Sequence, residues 1–241
     1  MKRNIPNLIT SLNVISGGMA IFMGVYGQIE YAAFFILLGM FFDFFDGLAA
    51  RLLHVKSELG KELDSLADML TFGMAPALLA HLLMRDILVS DASISGLPLY
   101  QQILLFVPLL IPAFSAYRLA KFNLDTRQTT SFIGLPTPAN ALFWVALVFS
   151  RLYVPEFYNL LFSNIWVLAI CVLILSILLI SELPMFSLKI SGFSWLENKL
   201  VYTYFILLFA ILAFFGWTVL IFIIPLYIFL CIVKALLMSK N

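Results

Sequence analysis

The chain has 241 residues, 63% of them hydrophobic and 11% charged, with a formal net charge of +1. Soluble domains are nearer half apolar and a quarter charged, so the composition excludes an ordinary soluble domain and indicates an all-α polytopic integral membrane protein. The near-zero net charge gives no electrostatic footprint for nucleic acid. Cys171 and Cys231 both lie in apolar runs and read as packing thiols rather than as a disulfide framework.

The opening "MKRNIPNLITSLNVISGGMAIF" has a basic end and an apolar stretch, as a signal peptide does. The stretch is long and is broken by Asn13, Ser16, Gly17 and Gly18, so it reads as a retained first span. A crossing helix needs ~20 mostly apolar residues. Eight candidates follow in order, at about 8–27, 30–51, 64–84, 99–121, 136–154, 160–181, 200–216 and 218–238. The last two meet at Gly216-Trp217 with almost no loop. No internal repeat or soluble domain interrupts them, so residues 1–241 read as one membrane domain.

The basic residues orient these spans. With the N-terminus inside, Lys2, Arg3, Arg51, Lys56, Lys61, Arg118, Lys121, Arg127, Lys189, Lys199, Lys234 and Lys240 fall on the cytoplasmic side, and only Arg85 and Arg151 fall outside. Such a bias is the positive-inside pattern and puts both termini in the cytoplasm.

Between the second and third candidates runs "DFFDGLAARLLHVKSELGKELDSLAD", residues 43–68. A carboxylate at membrane depth costs at least ~2.5 kcal/mol and persists where something compensates it. Asp43 and Asp46 are three residues apart and Asp64 and Asp68 four, so each pair projects from one helical face. The two faces can meet just below the cytoplasmic surface. Four converging carboxylates repel unless a cation neutralises them, and Mg²⁺ or Mn²⁺ suits an all-oxygen site and holds substrate phosphates. Gly47, Ala50 and Gly60 leave room on the acidic faces, and Arg51 and Lys61 add positive charge at the same level. The alternative reading makes the aspartates helix-end ion pairs with Arg51, Lys56 and Lys61, and the small residues simple packing.

The stretch matches D-x2-D-G-x2-A-R-x8-G-x3-D-x3-D at Asp43, Asp46, Gly47, Ala50, Arg51, Gly60, Asp64 and Asp68. In this it resembles the CDP-alcohol phosphotransferases, over a core of residues 1–190 with further spans at 191–241. The resemblance implies that Asp43, Asp46, Asp64 and Asp68 ligate one or two divalent metals. It implies that Asn7, Gly47, Ala50, Arg51 and Gly60 hold the nucleotide and phosphates of CDP-diacylglycerol, and that Asp68 is the general base. Homodimers follow by analogy alone.

Three more segments, "SLADMLTFGMAPA", "RLAKFNLD" leading to "FIGLPTPANA", and "SELPMFSLK", are similar to the bacterial phosphatidylserine synthases. That similarity implies L-serine as acceptor, membrane lipids as surroundings and the bacterial cytoplasmic membrane as location, with the site toward the cytoplasm. Lys121 stands where many relatives carry Arg, which keeps charge but loses the fork geometry. Arg118, Lys121 and Asn123 are candidate acceptor contacts, with anchoring as the alternative for the two cations; Arg127 reads as an anchor. Another acceptor, such as glycerol 3-phosphate, is the rival within the family. A transporter with intramembrane carboxylates is the rival outside it, and a purely structural scaffold is more remote.

Asn7, Thr10, Asn13 and Gly17 form one polar stripe at helical spacing. Asn7 is read toward the phosphates, and Thr10, Asn13 and Gly17 as helix packing. His54 reads as solvated and His81 as packed. Trp144, Trp166 and Trp217 read as packing or interface residues.

Overall fold

In a computed structural model, residues 4–55, 57–88, 94–124, 132–186 and 198–238 are described. Lys2, Arg3, Lys56, Arg127, Lys189 and Lys240, used above for sidedness, lie outside them. The described chain is almost wholly helical: α1 (Ile5–Val25), α2 (Ile29–Leu52), α3 (Glu58–Asp68), α4 (Ala75–Leu88), α5 (Leu99–Phe106), α6 (Leu110–Leu124), α7 (Thr137–Tyr153), α8 (Pro155–Phe162), α9 (Ile165–Ile180), α10 (Lys199–Phe215) and α11 (Val219–Met238). The two-residue strands β1 (Phe132–Ile133) and β2 (Pro184–Met185) pair antiparallel.

Local chemistry sets several of these boundaries. Pro6 in the first turn of α1 gives up an amide that the helix would leave unbonded. Ser57 caps α3 by accepting from the Gly60 amide at 3.0 Å. Within the helices, Thr10 donates to the Pro6 carbonyl at 3.0 Å and Ser150 to Ala146 at 2.6 Å, which satisfies hydroxyls that have no water to turn to.

The most buried unit is the continuous helical stretch Glu58–Leu88, made of α3, a π-helical turn at Met69–Met74 and α4; two-thirds of its apolar window is buried. Around it Phe72, Leu79, Leu83, Met84, Leu105, Ile111, Trp144, Leu147 and Leu168 form the core. Hydrophobic burial does not drive helices together inside lipid, so association depends on close approach, and small residues permit it. A Cβ on Gly73 would lie 3.4 Å from the Pro112 Cα and 3.3 Å from the Ser115 Cβ, so α6 rests directly on the π turn.

By length and apolarity, five described helices are able to cross a membrane, or six if the pair α8 and α9, bent by 79°, counts as one. The expected eight is not reproduced on that measure. The reasons are specific: α7 has only 17 residues, and Lys199–Leu237 is one 39-residue stretch. That stretch nevertheless reverses, because the Tyr204 hydroxyl donates to the Ile223 carbonyl at 3.0 Å. In one straight helix those residues would stand ~28 Å apart. Gly216, at φ 60° and ψ −138°, supplies the break.

The two ends of the bundle carry different chemistry. At one end Arg151 pairs with Asp86 at 2.7 Å and Arg85 lies 3.7 Å from the same carboxylate. The two arginines expected outside therefore share one end. At the other end Lys61 donates to the Asn123 carbonyl at 2.6 Å, and Lys121 pairs with Glu182.

Candidate active site

The acidic pairs meet as their spacing requires. Asp43 and Asp46 lie in the last three turns of α2, and Asp64 and Asp68 in the last two turns of α3. Carboxylate oxygens of Asp43, Asp64 and Asp68 all lie within 4.8 Å of one another. Asp46 is outside that triad; it is buried, and its Oδ2 has no hydrogen-bond partner among the described residues. Asp64 Oδ1 is buried and unpartnered too. Three oxygen donors this close, with orphaned buried oxygens beside them, fit a hard divalent ion and fit no ion pair, since no Lys or Arg bridges to any of the four among the described residues. Of the partners that the ion-pair alternative names, Arg51 and Lys61 make no such bridge, and Lys56 lies outside the described residues.

A cavity of about 500 Å³ adjoins the triad through Asp64, which belongs to both. Asn7, Thr10, Asp46, Gly47, Ala50, Ser57, Gly60 and Lys61 are among its walls. Four of the five residues expected to hold the nucleotide, Asn7, Gly47, Ala50 and Gly60, are thus in one wall system. Arg51, the fifth, is exposed at the end of α2 and does not line the cavity. A Cβ on Gly47 would meet nothing within 4 Å, so its small size keeps open space, whereas Gly60 is wedged between Asn7 and Ser57.

The polar stripe of α1 forms the third wall. Asn7 and Thr10 face the cavity, and the Asn13 amide donates to Asp68 Oδ1 at 3.5 Å. Gly17 behaves as packing alone: a Cβ there would stand 2.3 Å from the Thr71 hydroxyl oxygen. Thr10 and Asn13 therefore face the cavity and the acidic cluster while also packing α1 against its neighbours. The missed signal was the stripe itself, which continues from Asn7 without changing face.

The acceptor candidates separate. The Lys61–Asn123 contact and the approach of Gly73 to Ser115 show α3 and α6 running antiparallel, which sets Arg118 near the level of Asp68. Arg118 is only 8% exposed, and its Nε has no hydrogen-bond partner among the described residues. Lys121 is engaged by Glu182. Asn123 donates to the Ser65 hydroxyl at 2.9 Å, fastening the end of α6 to α3. The "GLP" segment serves the architecture. Gly134, at φ 77°, sits against the last carbonyls of α9, where a Cβ would meet the Leu179 oxygen at 2.7 Å. The Leu135 amide donates to the Leu178 carbonyl at 2.8 Å. This places Ile133 and Ser181 in a narrow cleft with Arg118. His81 is packed through the Leu105 carbonyl at 2.8 Å, and His54 is exposed, as expected.

The sequence model of the CDP-alcohol phosphatidyltransferase family matches residues 3–178. The chain is 40% identical over 146 residues to the CDP-diacylglycerol–serine O-phosphatidyltransferase of Bacillus subtilis, a match covering 61% of this chain and 76% of that protein. It is 35% identical over 145 residues to the Helicobacter pylori protein of the same name, covering 59% of this chain and 56% of the relative. With the archaetidylserine synthase of Methanothermobacter thermautotrophicus it shares 32% identity over 177 residues, 71% of this chain and 67% of the other.

Proposed function

The chain belongs to the CDP-alcohol phosphatidyltransferase family, and from that membership we propose that it transfers the phosphatidyl group of CDP-diacylglycerol to L-serine, yielding phosphatidylserine and CMP. The observation that carries the reading is Asp64, shared between the aspartate triad and a cavity walled by Asn7, Gly47, Ala50 and Gly60. Serine is supported by the names of these relatives, each of which contains it as acceptor or product.

Each residue then has a role. The cavity receives the cytidine diphosphate portion, with the lipid tails alongside the exposed Phe41, Phe44 and Phe45 of α2. Asp43, Asp64 and Asp68, with Asp46 beside them, would hold Mg²⁺ or Mn²⁺. When bound, such an ion offsets charge on the phosphate oxygens and on the departing CMP. Asp68 takes the proton of the serine hydroxyl. The hydroxyl oxygen forms a bond to the lipid-side phosphorus as that phosphorus loses its bond to the bridging oxygen, whose electron pair leaves with CMP. Arg118 supplies the cation for the serine carboxylate, next to the base.

A transporter reading fits less well. Its carboxylates would sit at mid-depth on broken helices. These sit in the final turns of α2 and the opening turns of Glu58–Leu88. We place the site on the cytoplasmic side of the cytoplasmic membrane, since Lys61 and Lys121 mark the same end of the bundle. The test is CMP release by the purified protein given CDP-diacylglycerol and Mg²⁺ or Mn²⁺. Release should require an acceptor, be fastest with serine and stop with a chelator. Acceptor-independent ion flux without CMP release would overturn the proposal.

A further inference from the structure

We infer that Asn13 is a positioning residue for the Asp68 carboxylate, an inference that rests on Asp68 acting as the base. The Asn13 side chain is fully buried in α1 and reaches 55 residues along the chain to donate from Nδ2 to Asp68 Oδ1 at 3.5 Å. A carboxylate only accepts, so the Asp68 side fixes which end of the amide faces it. The other end, Oδ1, turns toward α2 and has no hydrogen-bond partner among the described residues. A buried amide that leaves one end unsatisfied costs stability, and the bond from its other end to Asp68 is what offsets that cost.

The surrounding structure holds this amide still. The Thr71 hydroxyl, in the π turn three residues after Asp68, donates to the Asn13 backbone carbonyl at 3.1 Å. The same Thr71 fills the space that two glycines vacate. A Cβ on Gly17 would stand 2.3 Å from its Oγ1, and a Cβ on Gly39 would stand 2.4 Å from its Cγ2 and 3.0 Å from Asn13 Oδ1. So α1, α2 and the π turn close on Asn13 and on Thr71, which lies three residues along the helix from Asp68. π turns of this kind recur at functional sites, where they aim a side chain that a regular helix would misdirect.

Asn13 suits this position because it is neutral. A cation there would compete with a divalent ion for the three carboxylates, and an acid would add to their repulsion. The amide takes one lone pair of Oδ1 and leaves the rest of the Asp68 carboxylate for the metal and the acceptor hydroxyl. It thereby holds the carboxylate in one rotamer. Rotational error of this size in a base is costly to turnover, and costs substrate binding little.

The test compares Asn13→Leu, which keeps the volume and removes the donor, with wild type and Asp68→Asn. Steady-state CMP release would be measured against serine and against CDP-diacylglycerol, together with melting temperature in detergent. The expected result is a loss of kcat by ~10–100-fold, with the CDP-diacylglycerol KM within about threefold of wild type. A second pair, Asn13→Ser and Asn13→Ala, differs only in a hydroxyl donor, so it remains decisive if the Leu variant is unstable. Higher kcat for Ser than for Ala at equal melting temperature supports the inference. Wild-type kcat in Asn13→Leu, or equal kcat for Ser and Ala, overturns it while Asp68→Asn stays inactive. Wild-type turnover in Asp68→Asn instead removes the base assignment on which the inference stands.

Discussion

Gly60 lies so close to Asn7 that a β-carbon on it would stand 2.9 Å from the Asn7 Oδ1 and 2.8 Å from the Ser57 hydroxyl oxygen. All three line the cavity, so the start of α1 and the start of α3 close against each other in its wall. The first expectation concerns this contact. Gly60→Ala must push Asn7 or Ser57 aside, which deforms the cavity without touching the triad. The CDP-diacylglycerol KM should rise about tenfold or more, a loss of ~1.4 kcal/mol in binding, with a smaller change in kcat. Gly47→Ala, whose new methyl meets only open space, should raise KM through lost volume alone. Unchanged KM in both variants would remove the cavity from substrate binding.

The aspartates should divide by role. Asp43→Asn and Asp64→Asn remove triad oxygens, so each should weaken Mg²⁺ or Mn²⁺ activation and CDP-diacylglycerol binding together. Asp68→Asn also removes a triad oxygen and should weaken metal activation, but its distinguishing effect should be a kcat loss of ~10² or more at saturating metal, with the lipid nucleotide still bound. Asp46 lies outside the triad, so Asp46→Asn should disturb the nucleotide KM more than the metal requirement. Metal titrations of CMP release separate the four; identical metal dependence in all of them would dissolve the division.

The sequence made the clustering of the aspartates legible because fixed spacing on helices determines direction. Asp43 and Asp46, or Asp64 and Asp68, cannot point apart, and two such faces joined by a short loop meet. The loop residues Val55 and Ser57 entered the cavity wall unannounced, since their place depends on how the chain turns between α2 and α3. Thr10 and Asn13 were visible as a stripe, but polar packing and site lining give the same pattern in a membrane helix. Only the partner across the gap, Asp68 or Thr71, tells them apart. The count of eight spans is not confirmed by length and apolarity, for a different reason. Composition measures apolar length, whereas a 17-residue α7 is held in the bundle by its ends, Leu135 on α9 and Arg151 on Asp86.

Packing of α1 on the π turn gives a stability expectation. Gly17→Ala places a Cβ 2.3 Å from the Thr71 Oγ1 and 3.0 Å from the Thr71 Cα. The first atom can rotate away, but the second is backbone. Overpacking of this kind costs typically ~1–3 kcal/mol, so the detergent melting temperature should fall. Gly18→Ala, with nothing within 4 Å of the new methyl, is the neutral control. Equal melting temperatures for the two variants would contradict the described contact.

Sidedness is open to direct labelling. His54, exposed at the end of α2, and Glu156, exposed in the first turn of α8, lie at opposite ends of the bundle. After Cys171 and Cys231 are replaced by alanine, a single cysteine at each position should react with an impermeant thiol reagent from opposite sides of the membrane. The His54 position should react only in inside-out vesicles or opened cells. Labelling of both positions in intact cells would break the topology that puts Arg85 and Arg151 outside.

The acceptor is tested through Arg118, Lys121 and Asn123, which the structure treats differently. Arg118 is buried near Asp68 with an Nε unpartnered among the described residues, Lys121 is a third exposed and paired to Glu182, and Asn123 is committed to Ser65. A site built around a buried cation discriminates strongly against an analogue that lacks the matching anion, because the charge is then left desolvated and unpaired. Ethanolamine, which is serine without its carboxylate, should therefore be a very poor acceptor. Arg118→Ala should raise the serine KM by about tenfold or more, a loss of ~1.4 kcal/mol, with little change in the CDP-diacylglycerol KM. Arg118→Lys should recover only part of it, since a point charge cannot replace the two-pronged fork. Lys121→Ala should shift the serine KM far less, because its ammonium already has a carboxylate. Faster CMP release with glycerol 3-phosphate than with serine would reassign the acceptor and leave the family membership intact. A serine KM more sensitive to Lys121→Ala than to Arg118→Ala would move the carboxylate clamp from the buried cation to the one at the rim.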